Sequence, residues 1–289
     1  MAGAGMRDVR RRIKSVESTM QITKAMQLVA SSKLRRAKER VETARPYFNT
    51  LYNTICTMAA GNTDRTSVFT CARERNRVAY VVIAGDRGLA GGYNANLFKF
   101  AAAAMDPEHA LVIPVGKRSV EHYAHRDYET RVLENYSAVE GMDLERCFEL
   151  SRLLTELFRS GEVDEVNLVY TEFVSMLAQE PVCRKILPLS FTAEEAGLED
   201  GTGFGTAEFD PSIGDVLAKI IPQFVGGMIF GAISESYASE QGARRMAMEA
   251  ASDNAEEIIS SLSLQFNRAR QGAITQEITE ISGGFEALR

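Results

Sequence analysis

Residues 9–58 read VRRRIKSVESTMQITKAMQLVASSKLRRAKERVETARPYFNTLYNTICTM. One stripe recurs through them at alternating steps of four and three: Val9, Ile13, Val16, Met20, Thr23, Gln27, Ala30, Leu34, Ala37, Val41, Ala44, Phe48, Leu51, Ile55 and Met58. A 3.5-residue period held for about seven heptads specifies a left-handed coiled coil with a partner helix. At about 1.5 Å per residue the helix is on the order of 75–80 Å long, beyond what a compact domain can bury. Thr23 and Gln27 interrupt the apolar seam, and both are expected to bond across it and fix its register.

The simplest partner is the other end of the same chain. After Pro211 the composition favours helix as far as Leu288, with Pro222 as the one proline, and the segment closes on Ile274, Ile278, Ile281, Phe285 and Leu288 at steps of four and three. A continuous helix there is roughly 110 Å long and overhangs the first at one end. The apolar stripe on that tip implies that another protein holds it.

The chain has 289 residues, 45 % of them hydrophobic and 25 % charged, the profile of a soluble protein of one or two domains. Its formal net charge of −6 conceals an asymmetry: residues 7–45 hold twelve Lys/Arg against four Asp/Glu, and residues 190–289 hold six against sixteen. The two ends should attract each other, and the basic one should favour acidic partners. Cys56, Cys71, Cys147 and Cys183 are widely spaced without a CxxC, which argues against a disulfide framework. The arginine-rich start, Met1 to Arg12, reads as part of the first helix rather than a presequence, because Asp8 and Glu17 interrupt it and the stripe begins inside it. Ile220 to Ser234 is uncharged and carries Gly227 and Gly231 in a GxxxG spacing. Its length, about 15 residues, falls short of a bilayer span and fits a buried helix face.

Between the helices the pattern changes. GNTDRTS from Gly61 ends the first helix, and Arg77 to Ala84 (RVAYVVIA) begins a series in which strands alternate with helices. The series continues with a glycine turn, GDRGLAGGYN, a helix in NANLFKFAAAAM, a strand at Ala110 to Val115, a helix at Lys117 to His125, and a strand around Tyr128 to Tyr136. An amphipathic helix from Asp143 to Arg159 follows, with Leu144, Phe148, Leu150, Leu153, Leu154 and Leu157 on its apolar side, then strands at Glu165 to Val174 and Pro181 to Leu189. This alternation predicts a mostly parallel sheet with helices on its faces and an antiparallel edge from the last two strands. Residues 192–210 are acidic and glycine-rich and read as a connection; Asp210-Pro211-Ser212 supplies the chemistry to start the second long helix. Pro222 removes one backbone bond within it, so a bend or a tolerant neighbour is expected there.

GDRGLAGGYN joins a strand to a helix as a phosphate cradle does, yet it lacks both the Lys-Ser/Thr of a P-loop and the GxGxxG spacing. A tight structural turn and a protein-contact loop carrying Asp86 and Arg87 both remain open. His122 and His125 lie one helical turn apart with no third ligand at metal spacing. No HExxH, GxSxG or local Cys/His grouping provides a catalytic centre. The arginines of the first helix, at 10, 11, 12, 35, 36, 40 and 45, lack interleaved aromatics and fit a solvated or protein-contacting face better than a nucleic-acid site. The residues alone leave room for a nucleotide-binding α/β enzyme with coiled-coil arms, or for a coiled-coil adaptor.

Three stretches carry a resemblance that spans nearly the whole chain: IKSVESTMQITKAMQLVASSKLRRA (Ile13 to Ala37), GDRGLAGGYN, and SEQGARRMAMEAASDNAEEI with NRARQGAITQEITEI near the end. Together they closely resemble the gamma subunits of bacterial F-type ATP synthases. The resemblance implies an antiparallel coiled coil of the two terminal helices, residues 1–60 and 211–289, with a Rossmann-like α/β foot domain at 77–191. It implies a non-catalytic rotor of the central stalk in a proton-translocating complex, peripheral to the cytoplasmic face of the plasma membrane. Its partners would be three alpha and three beta subunits, epsilon, and the membrane ring of c subunits, with no cofactor, no bound nucleotide and no nucleic acid. Met26, Arg87, Ala90, Arg244, Gln271, Thr275 and Glu277 would contact beta subunits, with Arg87 and Ala90 facing an acidic helix-turn-helix. Phe209 and Asp210 would sit near the c-ring and epsilon, with Arg35 and Arg36 toward that end. Ile13, Val16, Met20, Leu34, Ile274, Ile278 and Ile281 would form the seam of the coil. Two departures stand out: the chain ends in ISGGFEALR, whose Gly283-Gly284 should loosen the tip, and residues 192–210 contain no cysteine pair of the kind that gives chloroplast members thiol control.

Overall fold

The computed structural model describes residues 2–60, 69, 73–74, 76–189 and 213–287. The 192–210 connection, Cys71, Phe209, Asp210 and the Asp210-Pro211-Ser212 cap lie outside the described residues. The elements run α1 (Ala2–Ala60), β1 (Val78–Ile83), α2 (Tyr93–Ala104), β2 (Ala110–Val115), α3 (Lys117–Tyr123), β3 (Glu129–Thr130), a 3-10 turn at Glu134–Tyr136, α4 (Leu144–Ser160), β4 (Glu165–Phe173), β5 (Gln179–Leu187) and α5 (Ile213–Ala287). They form two compact units, Met1–Ser31 with Arg244–Arg289 and Ser32–Ala243, a division that falls within the long helices rather than at their ends.

The larger unit is built on a sheet of order β3-β2-β1-β4-β5. β1 pairs parallel with β2 and β4, β2 with β3, and β5 alone is antiparallel, against β4. Every residue of β1 and β2 is buried, because helices cover both faces of a parallel sheet. The two-residue period divides the strands cleanly. Ala79, Val81, Ile83, Leu111, Ile113, Leu168 and Tyr170 face a core shared with α4, α5 and the C-terminal part of α1. Val78, Tyr80, Val82, Val112 and Val169 face α2 and Tyr123 of α3.

α4 shows why its boundaries were legible. Asp143 accepts a hydrogen bond from the Arg146 backbone N–H at 3.0 Å, and Gly161 ends the helix at φ 79°. The expected strand at 128–136 is shorter than read. Only Glu129 and Thr130 pair, with Leu111 and Val112, because this is the sheet edge and the chain then coils to bury Tyr136. α3 ends at Tyr123, two residues before the expected end at His125, and α1 runs unbroken through Pro46.

Within this unit α1 and α5 run antiparallel: Phe48 lies against Phe230 and Tyr52 stacks on Phe224, so residue numbers rise on one helix as they fall on the other. Part of α5 is apolar enough by composition to cross a membrane, yet 56 % of that window is buried in the chain. Ile221, Val225 and Ile229 are fully covered. A Cβ on Gly227 would collide with the Phe48 ring and one on Gly226 with the Phe148 ring, whereas Gly231 meets nothing within 4 Å, so the close packing falls on the adjacent pair of glycines and not on the GxxxG spacing. α5 passes through Pro222, whose carbonyl accepts the Ser151 hydroxyl.

The smaller unit is a pair of helices. A stripe of covered positions runs along α1 through Val9, Ile13, Val16, Met20, Thr23, Gln27 and Ala30, and along α5 through Met248, Ser252, Ala255, Ile259, Leu262 and Phe266, again at steps of three and four. Thr23 Oγ1 lies 2.6 Å from Ser252 Oγ across the seam. Going 21 residues back from Thr23 and 21 forward from Ser252 sets residue 2, where α1 begins, opposite residue 273. Among the described residues, none of α1 stands opposite α5 beyond that point. Ile274, Ile278 and Ile281, expected in the seam, are accordingly 48, 62 and 68 % exposed. The seam of α5 passes one residue to the side of them, through Ala273. Gly283 and Gly284 do not end the helix, which continues to Ala287.

Candidate functional site

The GDRGLAGGYN turn occupies the carboxyl end of β1, and its residues divide between anchoring and display. Asp86 is an anchor: Oδ1 accepts the backbone N–H groups of Lys117 at 3.1 Å and Val139 at 2.9 Å, and Oδ2 accepts that of Glu140 at 2.7 Å. A carboxylate satisfied by three backbone donors ties together the starts of α3 and the turn before α4. Ala90 is 3 % exposed and cannot present a surface, which corrects its expected contact role. Arg87 is displayed, with its guanidinium 3.4 Å from Glu140, whose other oxygen bonds Lys33 of α1. That hydrogen bond raises the Lys33 pKa. Leu89, at φ 62° and 67 % exposed, forms the tip, and no sequence signal marked it.

In open α/β sheets the crevice beyond the carboxyl ends of neighbouring strands, where connections diverge to either side, is the usual ligand position. Here β1 and β4 meet at that point, and α5 fills it. The Tyr93 hydroxyl donates to the Ser236 carbonyl at 3.0 Å and lies 2.6 Å from Ser236 Oγ, which donates to the Ile83 carbonyl at 3.3 Å. Ser239 Oγ donates to the Thr171 carbonyl at 3.1 Å. Gly85 faces the carboxyl of Glu240, so closely that a Cβ on Gly85 would stand 2.8 Å from it. Ser236, Ser239 and Glu240 share one helical face, and all are buried. The glycine therefore serves close approach by a helix of the same chain rather than by a phosphate.

The other expected positions fall as follows. Ile13, Val16 and Met20 are half-buried and Leu34 is buried. Met26 is half-exposed, and Ile22, Leu28 and Val29 beside it are 58, 72 and 56 % exposed, an apolar surface that the heptad reading passed over. Gln271, Thr275 and Glu277 are exposed, with the Thr275 hydroxyl turned back to the Gln271 carbonyl at 2.9 Å. Arg244 is only 8 % exposed, so it is not a surface contact. Arg35 pairs with Glu39 on its own helix, and Arg36 lines a cavity of about 230 Å³ with Lys33, Arg40, Glu140 and Tyr237. Arg36 lies roughly 36 Å along α1 from Ala60, whereas the Tyr52–Phe224 stack sets the start of α5 near the Ala60 end. Arg35 and Arg36 thus lie away from the Ala60 end of α1, near which α5 begins.

His122 stacks on Phe98, centroids 3.9 Å apart, and burial followed by the charge of Arg126 lowers its pKa. Cys147 is buried, which pushes its thiol up to about 12, while Cys183 is exposed. Among the described residues no group of three His, Cys, Asp or Glu could hold a metal ion.

A family model described as ATP synthase matches residues 5–288. The ATP synthase gamma chain of Ruminococcus albus is 47 % identical over 285 residues, covering 96 % of this chain and 97 % of that one. The sodium ion specific ATP synthase gamma chain of Acetobacterium woodii is 42 % identical, with 98 % of each covered. Among solved structures, a chain of the Euglena gracilis mitochondrial ATP synthase OSCP/F1/c-ring assembly shares the fold with a TM-score of 0.67 at 19 % identity, covering 99 % of this chain and 95 % of that one. A chain of the rotor of the same enzyme gives 0.61 at 20 % identity, with 94 % and 99 % covered.

Proposed function

The chain belongs to the ATP synthase gamma chain family, and we propose from that premise that it couples ion-driven rotation of a membrane c-ring to conformational change in a ring of three alpha and three beta subunits. It is the central-stalk rotor of an F-type ATP synthase, and it performs no bond chemistry itself. The observation that carries this reading is the seating of α5 in the crevice at the ends of β1 and β4, where Ser236, Ser239 and Glu240 occupy the position a nucleotide would need. A helix fixed there moves with the sheet domain, and the seam closed by Thr23 and Ser252 stiffens the coil that reaches the ring.

Contacts with beta subunits are assigned to Arg87, to Met26 with its exposed neighbours Ile22, Leu28 and Val29, and to Gln271, Thr275 and Glu277 on the exposed part of α5. Exposed polar contacts suit a rotor, which must form and release them on every turn. Ile274, Ile278 and Ile281 give that stretch an apolar stripe for the ring to hold. Phe209 and Asp210 face the c-ring and epsilon. The complex sits at the cytoplasmic face of a bacterial plasma membrane.

Two experiments test the reading. Purification through a tag on this chain should recover alpha, beta and epsilon together; recovery of the chain without them contradicts the assignment. Calorimetric titration with ATP and ADP should reveal no specific site on the chain alone, whereas saturable binding would favour the nucleotide-binding enzyme.

A further inference from the structure

The Arg87 loop is not the only exposed tip on its edge of the sheet. β1 and β4 run parallel, so the hairpin that follows β4, residues 174–178, emerges beside the loop that follows β1. Leu177 at its apex is 81 % exposed and Val174 is 58 % exposed. Large apolar side chains at a turn are costly to solvate and mark contact surfaces when they cluster. Here they cluster on a rigid turn. Ser175 Oγ accepts the backbone N–H groups of Leu177 at 3.2 Å and Ala178 at 3.0 Å, and the Ser175 N–H donates to the Ala178 carbonyl at 2.9 Å. The Gln179 side chain donates to the Met176 carbonyl at 2.7 Å.

The base of the hairpin is fastened to both long helices. Phe173 and Met176 pack with Leu34, Ala37 and Ala238, and Lys38 lies 4.5 Å over the Phe173 ring. A Cβ on Gly242 would stand 3.3 Å from that ring, just as Gly85 abuts Glu240. The two loops therefore flank α5 at residues 240–242 and present Arg87, Leu89 and Leu177 from one edge.

We propose that the Val174–Leu177 tip is a second contact between rotor and catalytic ring, an apolar one, seated on the same beta subunit whose acidic segment Arg87 faces. This inference rests on the assignment of Arg87 to a beta subunit. The division of labour is chemical: Arg87 supplies charge attraction, and Leu177 with Val174 supplies apolar area on a preorganised turn that loses little entropy on docking. A tip of two side chains is too small for a stable dimer of this chain, which leaves a partner already held in place by other contacts.

The test installs a photo-crosslinking benzoylphenylalanine at position 177 and, separately, at position 87 in the assembled complex. Irradiation is expected to join both positions to beta and to abolish ATP turnover in the joined molecules, because the rotor is pinned. A beta adduct at 87 with an alpha, epsilon, self or absent adduct at 177 overturns the second contact and leaves the Arg87 assignment standing. A beta adduct at 177 alone removes the Arg87 assignment and overturns the shared seating of the two tips. No beta adduct at either position overturns both.

Discussion

Glu235 shows how much a single buried group can reveal about the fit between α5 and the sheet. Its carboxyl bonds the Tyr170 hydroxyl, but Oε2 has no hydrogen-bond partner among the described residues. Burial first, and the nearby Glu172 second, raise its pKa, against weaker opposing pulls from Arg184 and Arg45. The folded chain therefore keeps a proton here at pH values where the unfolded chain has lost it. Stability tied to this group is full at low pH and declines as pH rises from the ordinary carboxylate range through the raised folded pKa. Glu235→Gln should flatten that decline, so that the denaturation midpoint of wild type falls away from that of the variant as pH rises above the ordinary carboxylate range. Parallel pH profiles would show that Glu235 finds a partner in solution. At the same scale, Asp86 marks where sequence reading ran out. Its neighbours in sequence identify a turn, but its three backbone donors come from positions 117, 139 and 140, which only the folded chain brings together.

Among the elements, α1 was the most legible. Each of its fourteen described stripe positions, Val9 to Ile55, is buried or half-buried, because a 3.5-residue period specifies a seam without reference to anything distant. The same logic misplaced the end of α5. Ile274, Ile278 and Ile281 repeat at heptad steps, yet a repeat does not reveal whether a partner helix extends that far, and α1 stops opposite residue 273. The strands were legible through β-branched runs and failed only at the edge, where β3 has a single neighbour and shortens. The seating of Ser236, Ser239 and Glu240 left no trace in the pattern, since small polar residues on a long helix read as solvated. The cross-helix bond expected of Thr23 is present as its contact with Ser252, while the Ser252 hydroxyl also donates to the Met248 carbonyl at 2.9 Å. Thr23→Val keeps the shape and removes the cross-helix bond, and should cost about 1 kcal/mol in denaturant unfolding. A cost near zero would mean that apolar packing alone sets the register.

For the molecule as a whole, the grip between α5 and the sheet is where a mechanical role becomes measurable. Tyr93→Phe removes both hydroxyl contacts with Ser236, and Ser236→Ala removes the Oγ contact with Tyr93 and the bond to the Ile83 carbonyl, while the exposed ring contacts stay untouched. In the assembled enzyme, combining them should lower ATP-driven ion pumping more than ATP hydrolysis, because hydrolysis needs only the ring and the coil whereas pumping needs the sheet domain to follow α5. An equal loss in both activities would point to misassembly rather than a loosened grip. The central claim is that this chain turns within the catalytic ring, and the most direct measurement attaches a visible probe to the sheet domain of the chain in a surface-fixed alpha-beta complex and supplies ATP. Rotation in one direction, with three pauses per revolution to match three beta subunits, is the predicted result. ATP consumed at an undiminished rate while the probe stays still would contradict it.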